Sequence, residues 1–125
     1  MYGKGYQQYK ENSIDTMTQG ELLLTLYDEL MKRLTRAEIA LENEDFKTME
    51  EAVERSSAII RYLSGTLNMQ YEISGNLRRL YEYFCYELVR VKVGRNKQEL
   101  GRVKRMVGEL RDSFRTAAQN NDSGK

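Results

Sequence analysis

The chain has 125 residues, room for one domain of ordinary size and not for a second. It contains no proline, histidine or tryptophan and one cysteine, and its formal net charge is +1. Absent histidine excludes histidine general bases, Ser-His and Cys-His nucleophiles and the usual zinc and di-iron sites, one cysteine excludes an intrachain disulfide and thiolate clusters, and near-neutral charge points to neither nucleic acid nor membrane.

An average chain of this length carries about six prolines. Their absence fits a nearly all-helical protein with short connections, because proline interrupts the helical ladder. Hydrophobic residues make up 40% and charged residues 31%, enough to fill one core and solvate its outside. The longest nearly apolar stretch, Leu22 to Tyr27, is far too short to span a bilayer. The first residues show no apolar run of the kind a signal peptide needs, so the expected location is cytoplasmic, without membrane insertion.

Residues 1–17 read as a polar arm with anchors at Tyr2, Tyr6, Tyr9, Ile14 and Met17. Gly3-Lys4-Gly5 within it is no phosphate loop, since the full pattern and a preceding strand are missing. The first helix opens at Thr18-Gln19-Gly20-Glu21, a capping box in which Thr18 caps the Glu21 amide. Its apolar stripe is Leu23, Tyr27, Leu30, Leu34, Ala37 and Leu41, alternating steps of four and three. Asn43-Glu44-Asp45 breaks the pattern, with Asp45 the expected next N-cap.

The second helix carries Phe46, Met49, Val53, Ile60, Leu63 and Leu67, with Ser56 standing at the missing stripe position and Gly65 near the end. Its glutamates Glu50, Glu51 and Glu54 lie off the stripe and read as a solvated face. The third helix is expected from about Glu72 to Val93, with Ile73, Leu77, Leu80, Phe84, Leu88 and Val91 on one face and Gly94 as a left-handed C-cap. Cys85, lacking a histidine partner, reads as a small buried hydrophobe. The fourth helix starts at Asn96-Lys97-Gln98-Glu99 and continues through Leu100, Val103, Val107, Leu110, Phe114 and Ala117. Residues 119–125 have no apolar anchor and are expected to be disordered.

Four amphipathic helices with short loops predict an all-α, antiparallel up-down four-helix bundle over residues 18–118. Charge is uneven along it: Glu38 to Glu54 holds seven acids and one base, and Arg78 to Arg115 holds eleven bases and five acids. Two solvated faces that attract one another explain this, as does a docking surface for a charged protein; no nucleic-acid motif accompanies the basic run.

Several apolar residues lie off the stripes: Leu22, Leu24, Leu26 and Met31 on the first helix, Ile59 and Tyr62 on the second, Tyr81, Tyr83 and Tyr86 on the third. A bundle needs one stripe per helix. The excess means either a wide buried face or a groove that another helix fills. Six methionines and nine tyrosines suit the groove, being adaptable and amphipathic respectively.

Tyr9-Lys10-Glu11-Asn12-Ser13-Ile14-Asp15-Thr16-Met17-Thr18-Gln19-Gly20-Glu21-Leu22 resembles the N-terminal pattern of the flagellin export chaperones, the FliS family. Leu26-Tyr27-Asp28 is similar to that family's Leu-Tyr-Asp-Gly turn, with Glu29 in place of glycine. Ile59-Ile60-Arg61-Tyr62-Leu63-Ser64-Gly65-Thr66-Leu67-Asn68 and Asn76-Leu77-Arg78-Arg79-Leu80-Tyr81-Glu82-Tyr83 resemble its second- and third-helix signatures. Phe114 stands where the family commonly has tryptophan and Gln19 where it usually has proline.

The resemblance implies a cytoplasmic bundle, not an enzyme and without a cofactor or metal, that binds the disordered C-terminal segment of flagellin, prevents early polymerisation and helps deliver it to the flagellar type III export gate. It implies a plug at Tyr9 and Ile14 that the client displaces. It also implies a partner-binding set of Leu23, Tyr27, Leu30, Ile60, Leu63, Leu67, Leu77, Leu80, Tyr81 and Phe84 that lines or supports the groove. Most of these are also bundle-seam positions. The alternative is a helical adaptor or dimerisation module that binds a different amphipathic helix.

Overall fold

Side chains with short polar tips set three of the four helix starts. Thr18 Oγ1 accepts the Glu21 amide at 3.1 Å, Asp45 Oδ1 the Thr48 amide at 3.2 Å, and Asn96 Oδ1 the Glu99 amide at 3.1 Å. The helices that follow are α1 (Gln19–Glu42), α2 (Phe46–Gly65), α3 (Glu72–Gly94) and α4 (Lys97–Ser123) in a computed structural model that describes residues 17–123. The start of α3 is held differently. Ser74 Oγ donates to the Asn68 carbonyl at 2.6 Å, and Asn68 Oδ1 accepts the Gln70 amide at 3.0 Å, so the α2–α3 turn is tied to itself.

Helix α1 packs on α2 and α4, and α3 packs on the same two, leaving α1 and α3 on one diagonal. With connections of 43–45, 66–71 and 95–96, this is the expected all-α up-down four-helix bundle. No helix among the described residues is long and apolar enough to cross a membrane.

Three local expectations need correction. The left-handed residue after α3 is Arg95 (φ 55°, ψ 41°), not Gly94, which remains the last helical residue. The Arg95 guanidinium lies 3.5 Å from the centre of the Phe46 ring, and this cation–π contact holds a non-glycine residue in that conformation. Ile73 is exposed, and Tyr81 takes the buried position that Leu80 was expected to fill, so the α3 seam is Leu77, Tyr81, Phe84, Leu88 and Val91. Finally, α4 runs to Ser123, so residues 119–123 extend the helix where disorder was expected. Propagating a formed helix needs only one hydrogen bond per added residue, and Ala117, Ala118 and Gln119 favour it.

The α1 stripe from Tyr27 to Leu41 is buried as its spacing predicts, as are Met49, Val53, Ile60 and Leu63 of α2. Ser56 is fully buried at the gap in the α2 stripe, its hydroxyl donating to the Ala52 carbonyl at 2.8 Å. On α4, Leu100, Val103 and Val107 are buried, Leu110 and Phe114 only partly, and Ala117 is exposed. The core therefore thins towards the end of the bundle where α4 finishes and α1 begins. Cys85 is half-buried, its thiol 4.0 Å from the Ser57 carbonyl, and burial pushes its pKa up, as suits a structural residue.

Acidic and basic segments face one another across helix boundaries. Lys104 pairs with Glu38 at 2.7 Å, Lys92 with Glu54 at 2.6 Å, Lys97 with Glu42, and Arg115 with Asp28 at 3.1 Å. Each exposed pair is worth under about 1 kcal/mol, but together they favour this order of helices over the mirror arrangement. A different pair sits inside the α3–α4 contact: Glu87 and Glu99 are both buried, and their carboxyls perturb one another, Glu99 pushed above the usual carboxylate range and Glu87 held below it. Arg90 reaches Glu87 at 3.2 Å and Arg102 reaches Glu99 at 3.0 Å. Glu99 Oε2 is buried without a hydrogen-bond partner, which a proton on it, donated to Glu87, would provide.

Gln19 occupies the first helical position, where proline is well tolerated. Gln19→Pro is expected to leave the melting temperature unchanged or slightly raised, whereas Thr18→Ala is expected to lose about 1 kcal/mol in urea denaturation.

Donation of its proton to the Glu87 carboxylate, and burial, hold Glu99 above its usual 4.5, so its stabilisation is complete below 4.5 and lost as pH rises through the folded value. The bond to Glu99 and the Arg90 guanidinium hold Glu87 below 4.5, so its contribution is lost as pH falls through its own folded value. Glu99→Gln supplies a donor that needs no proton. The variant is expected to lack the decline above pH 4.5 that the natural chain shows in urea midpoints; parallel declines in both proteins would refute the shared proton.

Candidate functional site

The thin end of the core is open. A groove of about 530 Å³ runs between the first turns of α1, the last turns of α2, the start of α3 and Phe114 of α4. Its floor is made of Leu63, Leu77 and Tyr81, all buried. Its walls are Leu22, Leu23, Leu26, Leu67 and Phe114, partly covered, and Tyr62, which is 52% exposed. Gln19, Gly20, Thr66 and Asn68 form a polar rim. A side chain at Gly20 would meet nothing within 4 Å, so the rim is open there.

Two buried phenols support the floor. Tyr27 of α1 and Tyr81 of α3 meet hydroxyl to hydroxyl at 2.6 Å across the bundle diagonal, and both are essentially inaccessible to solvent. Burial raises both pKa values, so both rings stay neutral and one hydroxyl donates to the other. The Tyr27 ring packs tilted against Phe114, centroids 5.5 Å apart. The rim polar groups are satisfied locally: Thr66 Oγ1 donates to the Leu63 carbonyl at 2.9 Å, and Asn68 is engaged in the α2–α3 turn. Nothing polar in the floor asks for a ligand.

Of the expected partner-binding residues, the structure brings Leu23, Leu63, Leu67, Leu77 and Tyr81 together in the groove, with Tyr27 directly beneath. Leu30, Ile60 and Phe84 are buried in the core and do not line it. Leu80 packs partly buried against the core outside the groove. Tyr9 and Ile14 lie outside the described residues. Leu22, Leu26, Tyr62 and Phe114 complete the walls and were not in the expected set. The signal for the first three was their position off the apolar stripes. Phe114 was legible only as a stripe residue, because its half-exposure comes from the helix ends around it.

The lining carries no thiol, carboxylate or amine, and its one aliphatic hydroxyl, Thr66, is held on the Leu63 carbonyl; its only titratable side chains are the phenols of Tyr62 and Tyr81. Among the described residues no group of three or more acidic, cysteine or histidine side chains is placed to hold a metal ion. The arrangement suits burial of an apolar segment against leucine and aromatic walls, with hydrogen bonding confined to the rim.

The model of the family described as flagellar protein FliS matches residues 2–121. The chain is similar to a protein of Bacillus subtilis (strain 168) named flagellar secretion chaperone FliS, at 33% identity over 115 residues, covering 92% of this chain and 86% of that one. It is also similar to a protein of the same name from Campylobacter jejuni subsp. jejuni (serotype O:6), at 25% identity, covering 92% and 91% of the two chains. A crystal structure described as a flagellar chaperone from bacteria shares the fold with a TM-score of 0.76 at 20% identity, over 96% of this chain and 99% of that one.

Removing one member of the phenol pair strands the other hydroxyl in the core. Tyr81→Phe is expected to cost about 1–3 kcal/mol in urea denaturation. Tyr27→Phe combined with Tyr81→Phe is expected to cost less than the two single changes added, because no buried hydroxyl then remains.

Proposed function

The chain belongs to the FliS family of flagellar proteins, and on that premise we propose that it is a cytoplasmic secretion chaperone that binds the C-terminal segment of flagellin in the groove beside Tyr81. It thereby prevents premature filament polymerisation and assists delivery to the flagellar type III export apparatus. It makes and breaks no bonds, and it needs no cofactor.

The observation that carries this reading is the groove itself: an apolar channel at the end of the bundle where all four helices contribute walls and no chemistry-bearing side chain is present. Its leucine and aromatic lining suits the apolar face of one amphipathic helix, which takes the place of a missing core layer. The client segment is disordered alone, so its folding and its binding are one event. Flagellin held this way has its own assembly surface buried. The sequence leading into α1 is the arm with Tyr9 and Ile14, and α1 starts at the rim through Gln19 and Gly20. We propose Tyr9 and Ile14, which lie outside the described residues, as the plug that the client displaces.

Titration of the protein with a flagellin C-terminal peptide is expected to give a one-to-one complex with a gain of helix in circular dichroism. Leu22→Ser and Tyr62→Ser, at partly exposed wall positions, are expected to weaken binding by about tenfold or more each without lowering the melting temperature appreciably. Tyr9→Ser with Ile14→Ser is expected to strengthen binding. Binding of unrelated amphipathic helices with equal affinity would instead favour a general helical adaptor.

A further inference from the structure

The later turns of α4 have little to hold them to the bundle. From Gly108 to Asn120 no residue is buried, and Leu110 and Phe114 are only partly covered. The seam that joins this stretch to α1 has space on both sides. The groove lies on one side, with Phe114 as its α4 wall. A second hollow of about 600 Å³ lies on the other, where Asp28, Met31, Lys32 and Arg111 are among the lining residues. The two hollows share no residue.

A ring contact and an ion contact cross the seam at this level. On the groove side the Phe114 ring packs on Tyr27, centroids 5.5 Å apart. On the outer side Asp28, the next residue of α1, faces two guanidiniums one turn apart on α4. Arg115 Nη2 donates to both carboxylate oxygens, at 3.1 and 3.4 Å, and Arg111 Nη1 lies 3.9 Å from Oδ1. The carboxylate turns to these cations rather than to Lys32, one turn on along its own helix. Tyr27 and Asp28 are adjacent on α1, and Arg111 and Arg115 flank Phe114 on α4, so both contacts fix the same turn.

We propose that Asp28 is a positioning residue for the groove: its clasp on Arg111 and Arg115 holds Phe114 in place as the α4 wall. The inference rests on the groove being the client site proposed above. An exposed ion pair adds little to the stability of a whole bundle. Here it has only to bias one half-covered ring on a stretch of helix without buried residues. A wall already in place spares the client the cost of ordering it on binding. Affinity therefore depends on charges that the client does not touch.

The chain has no tryptophan, so Phe114→Trp places a single fluorescent reporter in the wall. In that background Asp28→Asn is expected to shift the emission to the red with the melting temperature little changed. Salt at about 1 M, which screens exposed charges beyond about 3 Å, is expected to do the same to the chain that keeps Asp28. Without the reporter, Asp28→Asn is expected to bind the flagellin C-terminal peptide about fivefold more weakly at low salt, and the difference is expected to close at high salt. Arg111→Gln with Arg115→Gln is expected to give a similar loss, and adding Asp28→Asn to that variant no further loss. Unchanged emission in Asp28→Asn overturns the proposal. So does an equal loss of peptide binding on Asp28→Asn with and without the two arginines. A natural chain that binds no peptide would sink the proposed client, and the emission shift alone would then decide the clasp.

Discussion

Much of this molecule depends on one hydrogen bond between two phenols. Tyr27 and Tyr81 lie on diagonal helices and meet at 2.6 Å in a region closed to water. Each hydroxyl must find a partner there, and each finds the other. The contact sets how closely α1 and α3 approach at this level of the bundle. Below it, leucine, valine, phenylalanine and methionine side chains fill the interior. Above it the flanking positions are Leu22, Leu23, Leu26 and Phe114, which cover only part of the space between the helices. The phenol pair is therefore both the top of the core and the floor of the groove.

Polar interactions order the helices around that axis. The acidic stretch centred on α2 and the basic stretch of α3 and α4 are solvated faces that meet at helix boundaries, as in Glu54–Lys92, Glu38–Lys104 and Glu42–Lys97. Glu29, in the place where the resembling family has glycine, pairs with Arg33 one turn on at 3.0 Å and stays at the surface, so it does not disturb α1 packing. The Glu87–Glu99 pair is different in kind, because two buried acids side by side push one proton affinity up and the other down, each with an arginine, Arg90 and Arg102, beside it. Packing is thus densest in the middle and at the far end of the bundle, while the end that carries the groove is left short of packing atoms. On the proposed reading, a client helix supplies those atoms.

The sequence pattern revealed most of the fold because its signals are local. Thr18, Asp45 and Asn96 announce helix starts by hydrogen bonds to amides three residues away. Seam spacing told which face of α1 and α2 is buried. Where the signal depended on a distant residue the reading slipped. Arg95 takes the left-handed position because Phe46, far away in sequence, lies beneath its guanidinium. Tyr81 replaces Leu80 in the seam because its hydroxyl has Tyr27 to meet.

The candidate site shows the same division. The surplus of apolar residues at Leu22, Leu26 and Tyr62 fitted either a wide buried face or a groove, and the structure places all three in the walls of a groove. Leu30, Ile60 and Phe84 share the same stripes as Leu23, Leu63 and Leu77, and periodicity cannot separate core from groove along one stripe. That distinction is made by depth along the bundle: where α1 begins, where α2 stops at Gly65, and where the α4 core gives out at Phe114. The sequence by itself determined which residues of α1 and α2 face inward, since that follows from a local repeat. Only the tertiary structure decided which inward-facing residues remain uncovered, since that depends on how far each neighbouring helix extends.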